Sequence, residues 1–308
     1  MDMYQKRKKR QEMKNSENKK ETQNKMNINW YPGHMQKTKR LLKETMPLID
    51  IVFELIDARI PYSSKIKDID ELIKNKKRIL IMTKKDLCDL KETTKWVNYY
   101  EKKGYIVILV DLNTASDYKK IIDAASIFID EINSKRAQNG MKPKEVKATV
   151  IGIPNVGKST LINKLAGKKV SNVGNMPGVT KNNVWLKTKY KLLVLDTPGI
   201  LWPKFDNDYI AYNLAAMTAI SENVLPIKDV AYYILKTLHE SYPEAYEARY
   251  KVTAFDDDTI DIIAKNMGAI NNGTPDYNRV YKAIINDIKK ENIKNITFDK
   301  YEKIINEK

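Results

Sequence analysis

The pattern of apolar and polar positions changes character twice along the chain. Residues 1–25 show no apolar period and carry the run Lys6-Arg7-Lys8-Lys9-Arg10, so they read as a basic tail. From about residue 48, short apolar runs alternate with amphipathic stretches. Strands are expected at 50–56, 78–83, 105–111, 147–153, 184–188 and 190–196, and helices at 67–75, 90–103, 117–134 and 158–167. This alternation predicts βαβ units and a mostly parallel sheet. Segment 134–144 is polar, contains Gly140 and Pro143, and reads as a linker or exposed loop. After about residue 206 the strand patterns stop, and 207–222, 227–240, 258–267, 275–290 and 298–306 read as amphipathic helices. The expected class is α/β over residues 26–205, followed by an all-α C-terminal domain over 206–308.

Charge adds a partner class. The net charge is +16, and the chain stays strongly basic without its tail. Such a field favours a polyanion, nucleic acid first; the competing explanation is lysines that only decorate solvated faces. Cys88 is the single cysteine, which excludes an intramolecular disulfide and a cysteine-built zinc site and fits a reducing cytoplasm. No apolar run approaches the ~18 residues a membrane helix needs, and the Lys-rich start lacks the apolar segment of a secretory signal.

Chemistry enters with three motifs. Gly152-Ile153-Pro154-Asn155-Val156-Gly157-Lys158-Ser159 matches the P-loop pattern between an expected strand and an expected helix. Backbone N–H groups around Asn155, Val156 and Gly157 can wrap a β-phosphate, and the helix start at Ser159 and Thr160 adds its positive end. Lys158 would bridge β- and γ-phosphates, and Ser159 would ligate Mg²⁺. Asp196-Thr197-Pro198-Gly199 ends a later strand, placing Asp196 toward Mg²⁺ and the Gly199 N–H toward the γ-phosphate. Between them, Thr180 offers a second Mg²⁺ hydroxyl. Thr83-Lys84-Lys85-Asp86 follows another strand, and the Asp86 carboxylate can accept both N1–H and a 2-amino N–H of guanine. Adenine has neither donor there and would leave that carboxylate unpaired. A last base-site segment is placed at Asp111-Leu112-Asn113.

The order of motifs is unusual. The guanine motif precedes the P-loop by about seventy residues, whereas ordinary small GTPases carry it after the magnesium motif. The same site can form if the chain is circularly permuted, with the old ends joined near 134–146. The new ends then open after Asp196, and the C-terminal helices become the far tether of that switch.

The permuted order, Asn29-Trp30-Tyr31-Pro32-Gly33-His34-Met35, Asp57-Ala58-Arg59-Ile60-Pro61 and Gly199-Ile200-Leu201-Trp202-Pro203 together resemble the ribosome biogenesis GTPase A family. These are circularly permuted GTPases of bacterial large-subunit assembly, and the resemblance spans roughly residues 26–308. It implies a GTP phosphohydrolase, stimulated by the ribosome, that binds an immature large subunit and its rRNA and leaves on hydrolysis. An rRNA-binding GTP switch with negligible turnover, or a tRNA or translation GTPase outside assembly, are the alternatives. Ile200 stands where Ras-like proteins carry their catalytic Gln, and an apolar side chain cannot orient water. The resemblance gives that work to His34, whose other reading is a structural histidine in the turn after Gly33. It also gives Asn155 a K⁺ ion beside the phosphates, against a plain loop hydrogen bond. His239 reads as a helix-surface residue. Lys37, Lys39, Arg40 and Lys43 form a basic helical stretch suited to rRNA phosphate or to solvent. The chain departs from the family at Thr83, where the guanine motif usually begins with Asn. The amide that braces the P-loop is lost, although a hydroxyl can keep one hydrogen bond.

Met26 opens the first recognisable pattern and is a candidate initiator. Mass spectrometry of the native N-terminus is expected to begin there; peptides from residues 1–25 would remove that reading.

Overall fold

The computed structural model describes residues 40–66, 69–167, 172–173, 185–196, 207–220 and 225–306. His34, Lys37, Lys39, Thr180, Gly199 and Ile200 lie outside the described residues.

Strands β1 (Ile51–Asp57), β2 (Lys77–Thr83), β3 (Ile106–Leu109), β4 (Val146–Gly152), β5 (Asn172–Val173), β6 (Trp185–Lys187) and β7 (Leu192–Asp196) form one seven-stranded sheet in the order β3-β2-β1-β4-β7-β6-β5. The pairs from β3 through to β7 are parallel, and β5-β6-β7 close the edge antiparallel. All seven residues of β1 are buried, as expected for a central strand covered on both faces. Its one charged interior residue, Glu54, is held between Arg78 at 2.8 Å and Lys65 at 3.1 Å. Helices α1 (Asp70–Ile73), α2 (Leu90–Lys102), α3 (Ala115–Gln138) and α4 (Lys158–Ala166) connect the parallel strands.

Because those strands run in one direction, the residues following β1, β2, β3, β4 and β7 emerge at one edge, where open α/β sheets bind ligands. Permutation changes only which connections are covalent. The P-loop strand β4 lies between β1 and β7, while the guanine-motif strand β2 sits one strand further out.

The segment expected as a loop at 134–144 is helical to Gln138. Its polar residues face solvent rather than ending the helix, and the turn comes at Gly140, whose φ is 69°. Asn133 pins the return, accepting from the Lys144 N–H at 2.9 Å and donating to its carbonyl at 3.3 Å.

The C-terminal part contains α5 (Asp208–Ala216), α6 (Ile227–Ser241), α7 (Pro243–Tyr250), α8 (Thr259–Asn266), α9 (Tyr277–Lys289) and α10 (Tyr301–Asn306). It is not purely helical. A short hairpin of β8 (Ile270–Asn271) and β9 (Thr274–Pro275) was invisible to periodicity, being two residues per strand. Helix α7 is not among the expected helices; it starts at Pro243, which occupies the first helical turn, where its missing N–H costs nothing. His239, expected on the surface, packs its ring against Tyr246 and Phe255 at 5.4 and 6.0 Å.

The predicted helix at 298–306 begins only at Tyr301. The residues before it form an extended strap across the sheet domain. Ile296 donates its N–H to Leu87 O at 3.1 Å, Phe298 to Arg59 O at 2.7 Å, and the Trp96 indole donates to Asp299 O at 2.8 Å. The buried Asp299 carboxylate accepts from the backbone N–H groups of Tyr62 and Ser63 and from the Ser63 hydroxyl, each at 2.7 Å, and from the Asn213 amide at 2.8 Å. Tyr233 then donates to Asn213 Oδ1 at 2.7 Å, so one buried network joins the β1 exit, α5, α6 and the strap.

Burial pushes the Asp299 carboxyl up to about 6 despite these donors. The folded chain therefore holds this proton more tightly than the unfolded chain does. The group's stabilising contribution is full below about 4 and is lost as pH rises through 6. Between pH 4 and 7 the urea unfolding free energy of the native protein should fall relative to Asp299→Asn by an amount on the order of 3 kcal/mol. Parallel curves would contradict this.

Candidate nucleotide-binding site

The P-loop is built as its glycines require. Gly152 pairs with Leu55 across β1–β4, and a Cβ on it would stand 2.5 Å from the Leu55 carbonyl oxygen. Gly157 caps α4 at φ 105°, and a Cβ there would press on Leu112 at 3.0 Å. Asn155 between them also adopts a left-handed φ of 60°. The loop thus hands the chain to the positive end of α4, an arrangement suited to phosphate. Lys158 is only 8% exposed, and its ammonium donates to Ile153 O at 2.7 Å within the same loop. Ser159 and Thr160 are exposed at the helix start.

The guanine motif reaches this loop through its unusual first residue. Thr83 is 1% exposed, and its hydroxyl donates to the Val156 carbonyl at 2.7 Å, with Ile56 O at 3.2 Å as a second acceptor. The brace that an asparagine amide supplies in the family pattern is therefore present here as a hydroxyl. Lys84 follows in a left-handed conformation (φ 60°), and Asp86, two residues on, is exposed.

A cleft of about 260 Å³ gathers these segments: Thr83, Lys84 and Asp86, then Asp111, Leu112 and Asn113, then Asn155, Val156, Gly157 and Thr160, with Glu291 at its rim. The three regions proposed for base and phosphate are thus brought to one place. Burial raises the Asp86 carboxyl, aided by the nearby charges of Asp111 and Glu291 and opposed by Lys294. Burial lowers Lys84, while Asp57, Glu291 and Asp86 pull it back.

Asp111 lines the cleft, but its carboxylate is engaged locally. It accepts from the Asn113 N–H and the Thr114 hydroxyl, both at 2.8 Å, so its immediate work is to shape the turn. The turn is further held by Asp117, which accepts from the Asp111 N–H at 3.0 Å and pairs with Lys85 at 3.3 Å. Asn155 donates its amide to the Thr218 carbonyl at 2.7 Å, tying the P-loop to the turn after α5. Asp196 ends β7 in register with Val150, at the P-loop edge of the sheet.

Among the family-like motifs, Asp57-Ala58-Arg59 is structural. Arg59 is buried and grips Asp57 through Nε at 3.0 Å and Nη2 at 2.8 Å. Arg40 and Lys43 are exposed on a helical stretch at residues 40–45, where Arg40 lies 3.6 Å from Glu44. Glu291, Thr218 and Asp117 carry no motif, and only Asp117, six residues after Asp111, sits close enough in sequence to suggest a turn partner.

Residues 147–268 match the family described as "50S ribosome-binding GTPase". The chain is 40% identical to ribosome biogenesis GTPase A of Priestia megaterium over 279 residues, covering 89% of this chain and 97% of that protein. It is 38% identical to the Bacillus cereus protein of the same name, covering 89% and 94%. The GNP-bound crystal structure of YlqF from T. maritima shares the fold with a TM-score of 0.63 at 23% identity, covering 86% of this chain and 98% of that one.

Removing the Thr83 hydroxyl while keeping its shape tests the brace. Thr83→Val leaves the buried Val156 carbonyl unpaired, which costs about 1–3 kcal/mol. Guanine nucleotide affinity, measured with a fluorescent GDP analogue, should fall roughly tenfold, and Thr83→Ser should restore most of it. Unchanged affinity in Thr83→Val would show that the hydroxyl is not part of the site.

Proposed function

The chain belongs to the ribosome biogenesis GTPase A family and is a GTP hydrolase of ribosome biogenesis; from that premise we propose that its GTP form docks on an immature large ribosomal subunit, promotes a late assembly step, and is released by hydrolysis. The observation that carries this reading is the permuted site: guanine motif and P-loop, far apart and inverted in chain order, share one cleft. The net charge of +16 and the name of the matching family, a 50S ribosome-binding GTPase, support an rRNA-rich partner.

In this reading Asp86 selects guanine, Lys84 covers the base, and Asp111, Leu112 and Asn113 wall its far side. The amides of Asn155 to Thr160 and the Lys158 ammonium hold the phosphates. A hydroxyl-and-carboxylate oxygen set suits Mg²⁺, which prefers few protein ligands and substrate phosphates. Ser159, Thr180 and Asp196 would hold it, and the Gly199 N–H would meet the γ-phosphate. Mg²⁺ would supply charge neutralisation for the nucleotide phosphates. Asn155 is assigned to K⁺, for which its amide oxygen is the ligand atom. His34 orients the attacking water, because Ile200 cannot.

The working division is a basic tail over 1–25, a GTPase domain over 26–205 and a helical, rRNA-binding domain over 206–308, in the cytoplasm. Lys37, Lys39, Arg40 and Lys43 add phosphate contacts that should weaken steeply with salt. The chain leaving Asp196 leads within a dozen residues into α5, so a change at the γ-phosphate has a short path to the C-terminal helices.

Turnover measured with and without large subunits tests the proposal. Large subunits should stimulate hydrolysis, and His34→Ala should abolish the stimulation with GTP binding intact. Full-speed hydrolysis by the isolated protein would contradict it.

A further inference from the structure

The rim of the base cleft includes a residue that none of the nucleotide motifs supplies. Glu291 follows α9, in the C-terminal third, and lines the cleft together with Lys84, Asp86 and Asp111. It holds a left-handed φ of 62°, and its turn is fixed on both sides. Behind it, the Asn292 backbone N–H donates to Asp287 O and its side-chain amide to Asp287 Oδ1, both at 2.9 Å. Asp287 is itself 2% exposed and gripped by Arg249 at 2.6 Å. Ahead of it, Ile296 donates to Leu87 O at 3.1 Å, and the Asp89 N–H donates to the Thr297 hydroxyl at 3.1 Å. The turn that carries Glu291 is thus stapled to the guanine-motif loop itself.

The charge of Glu291 acts on Arg59, Lys84 and Asp86, and Asp111 acts on Asp86 as well. Arg59 follows β1, Lys84 to Asp86 follow β2, and Asp111 to Asn113 follow β3, in the spatial order β3-β2-β1. Glu291 thus shares the cleft with the loops that follow β2 and β3, and its charge also reaches Arg59 after β1.

Guanine offers three N–H donors on the edge that meets a carboxylate: N1–H and the two hydrogens of the 2-amino group. One carboxylate accepts N1–H and one amino hydrogen. The second amino hydrogen points toward the sugar edge, where an acceptor on the cleft wall can pair with it in place of water. Resting on the reading of Asp86 as the guanine reader, we propose that Glu291 accepts the second 2-amino N–H, so that a residue of the C-terminal third helps specify the base. The helical region is then part of the nucleotide pocket as well as a reporter of it. By linkage, any partner that shifts this turn changes guanine affinity, and guanine binding changes the turn.

Inosine diphosphate keeps N1–H and lacks the amino group, so it separates the two carboxylates. Affinities of the full chain for GDP and IDP should be compared by calorimetry in the native protein, Glu291→Ala, Glu291→Gln and Asp86→Ala. Alanine keeps the Cβ, so the backbone cost at the left-handed position is unchanged. Glu291→Ala should weaken GDP about tenfold or more while moving IDP by less than about threefold, as expected for a lost hydrogen bond to a charged acceptor. Glu291→Gln, whose amide oxygen can still accept, should fall between. Equal losses for both nucleotides, or no loss for GDP, would overturn the proposal. Asp86→Ala should weaken both nucleotides, because both carry N1–H; GDP binding unchanged in that variant would instead overturn the guanine-reader reading beneath it.

Discussion

One buried threonine hydroxyl joins the loop after β2 to the P-loop after β4. A nucleotide has a fixed span from base to phosphates, so the loop that reads the base and the loop that wraps the phosphates must keep a fixed separation. Here those loops leave β2 and β4, which are not neighbours in the sheet. Thr83 closes the gap by donating to Val156 O at 2.7 Å, beside Ile56 O at 3.2 Å. The bond is buried, so water cannot substitute for it, and its loss leaves a carbonyl stranded in the P-loop. Leu112 adds a steric limit from the third loop, standing 3.0 Å from where a Cβ on Gly157 would be. The P-loop, the Thr83–Asp86 segment and the Asp111–Asn113 segment are therefore held against one another, by the Thr83–Val156 hydrogen bond, the Lys85–Asp117 pair and the Leu112 side chain.

The C-terminal region is bound to this assembly in an equally specific way. Its strap donates backbone hydrogen bonds to Leu87 and Arg59, residues next to the guanine motif and within the Asp57-Arg59 pair. A fully buried carboxylate is an expensive means of attachment, and four donors to Asp299 reduce that cost without cancelling it. What the network gains is geometry: α5, α6 and the strap have one arrangement in which every polar atom around Asp299 is paired. Asn155 makes a second link, from the P-loop to Thr218. The helices are thus tied to the phosphate loop and to the base loop, which is what a region reporting nucleotide state requires.

The sequence was most legible where local pattern decides structure. Apolar runs ending in Gly152, Thr83 and Asp196 marked the strands, and the glycine spacing with Lys158 marked the phosphate loop. The inverted motif order announced permutation, and the sheet order realises it. What was not legible depends on partners distant in sequence. Thr83 was read as a weakened brace because its acceptor, 73 positions away, cannot be seen in a pattern. Asp299 and Glu291 belong to no motif, yet one is buried against Ser63 and the other lines the cleft. Asp57-Ala58-Arg59 resembled a functional signature, and its charges are spent on each other inside the core.

The account stands on Asp86 reading guanine at a fixed distance from the P-loop, and its most direct test is a nucleotide exchange of specificity. Xanthine carries a carbonyl in place of the 2-amino group, which an asparagine amide can meet and a carboxylate cannot. Binding of GDP and xanthosine diphosphate should therefore be measured by calorimetry in the native protein and in Asp86→Asn. The account predicts that the variant loses GDP and gains the xanthine nucleotide. An Asp86→Asn protein that still prefers GDP would contradict it.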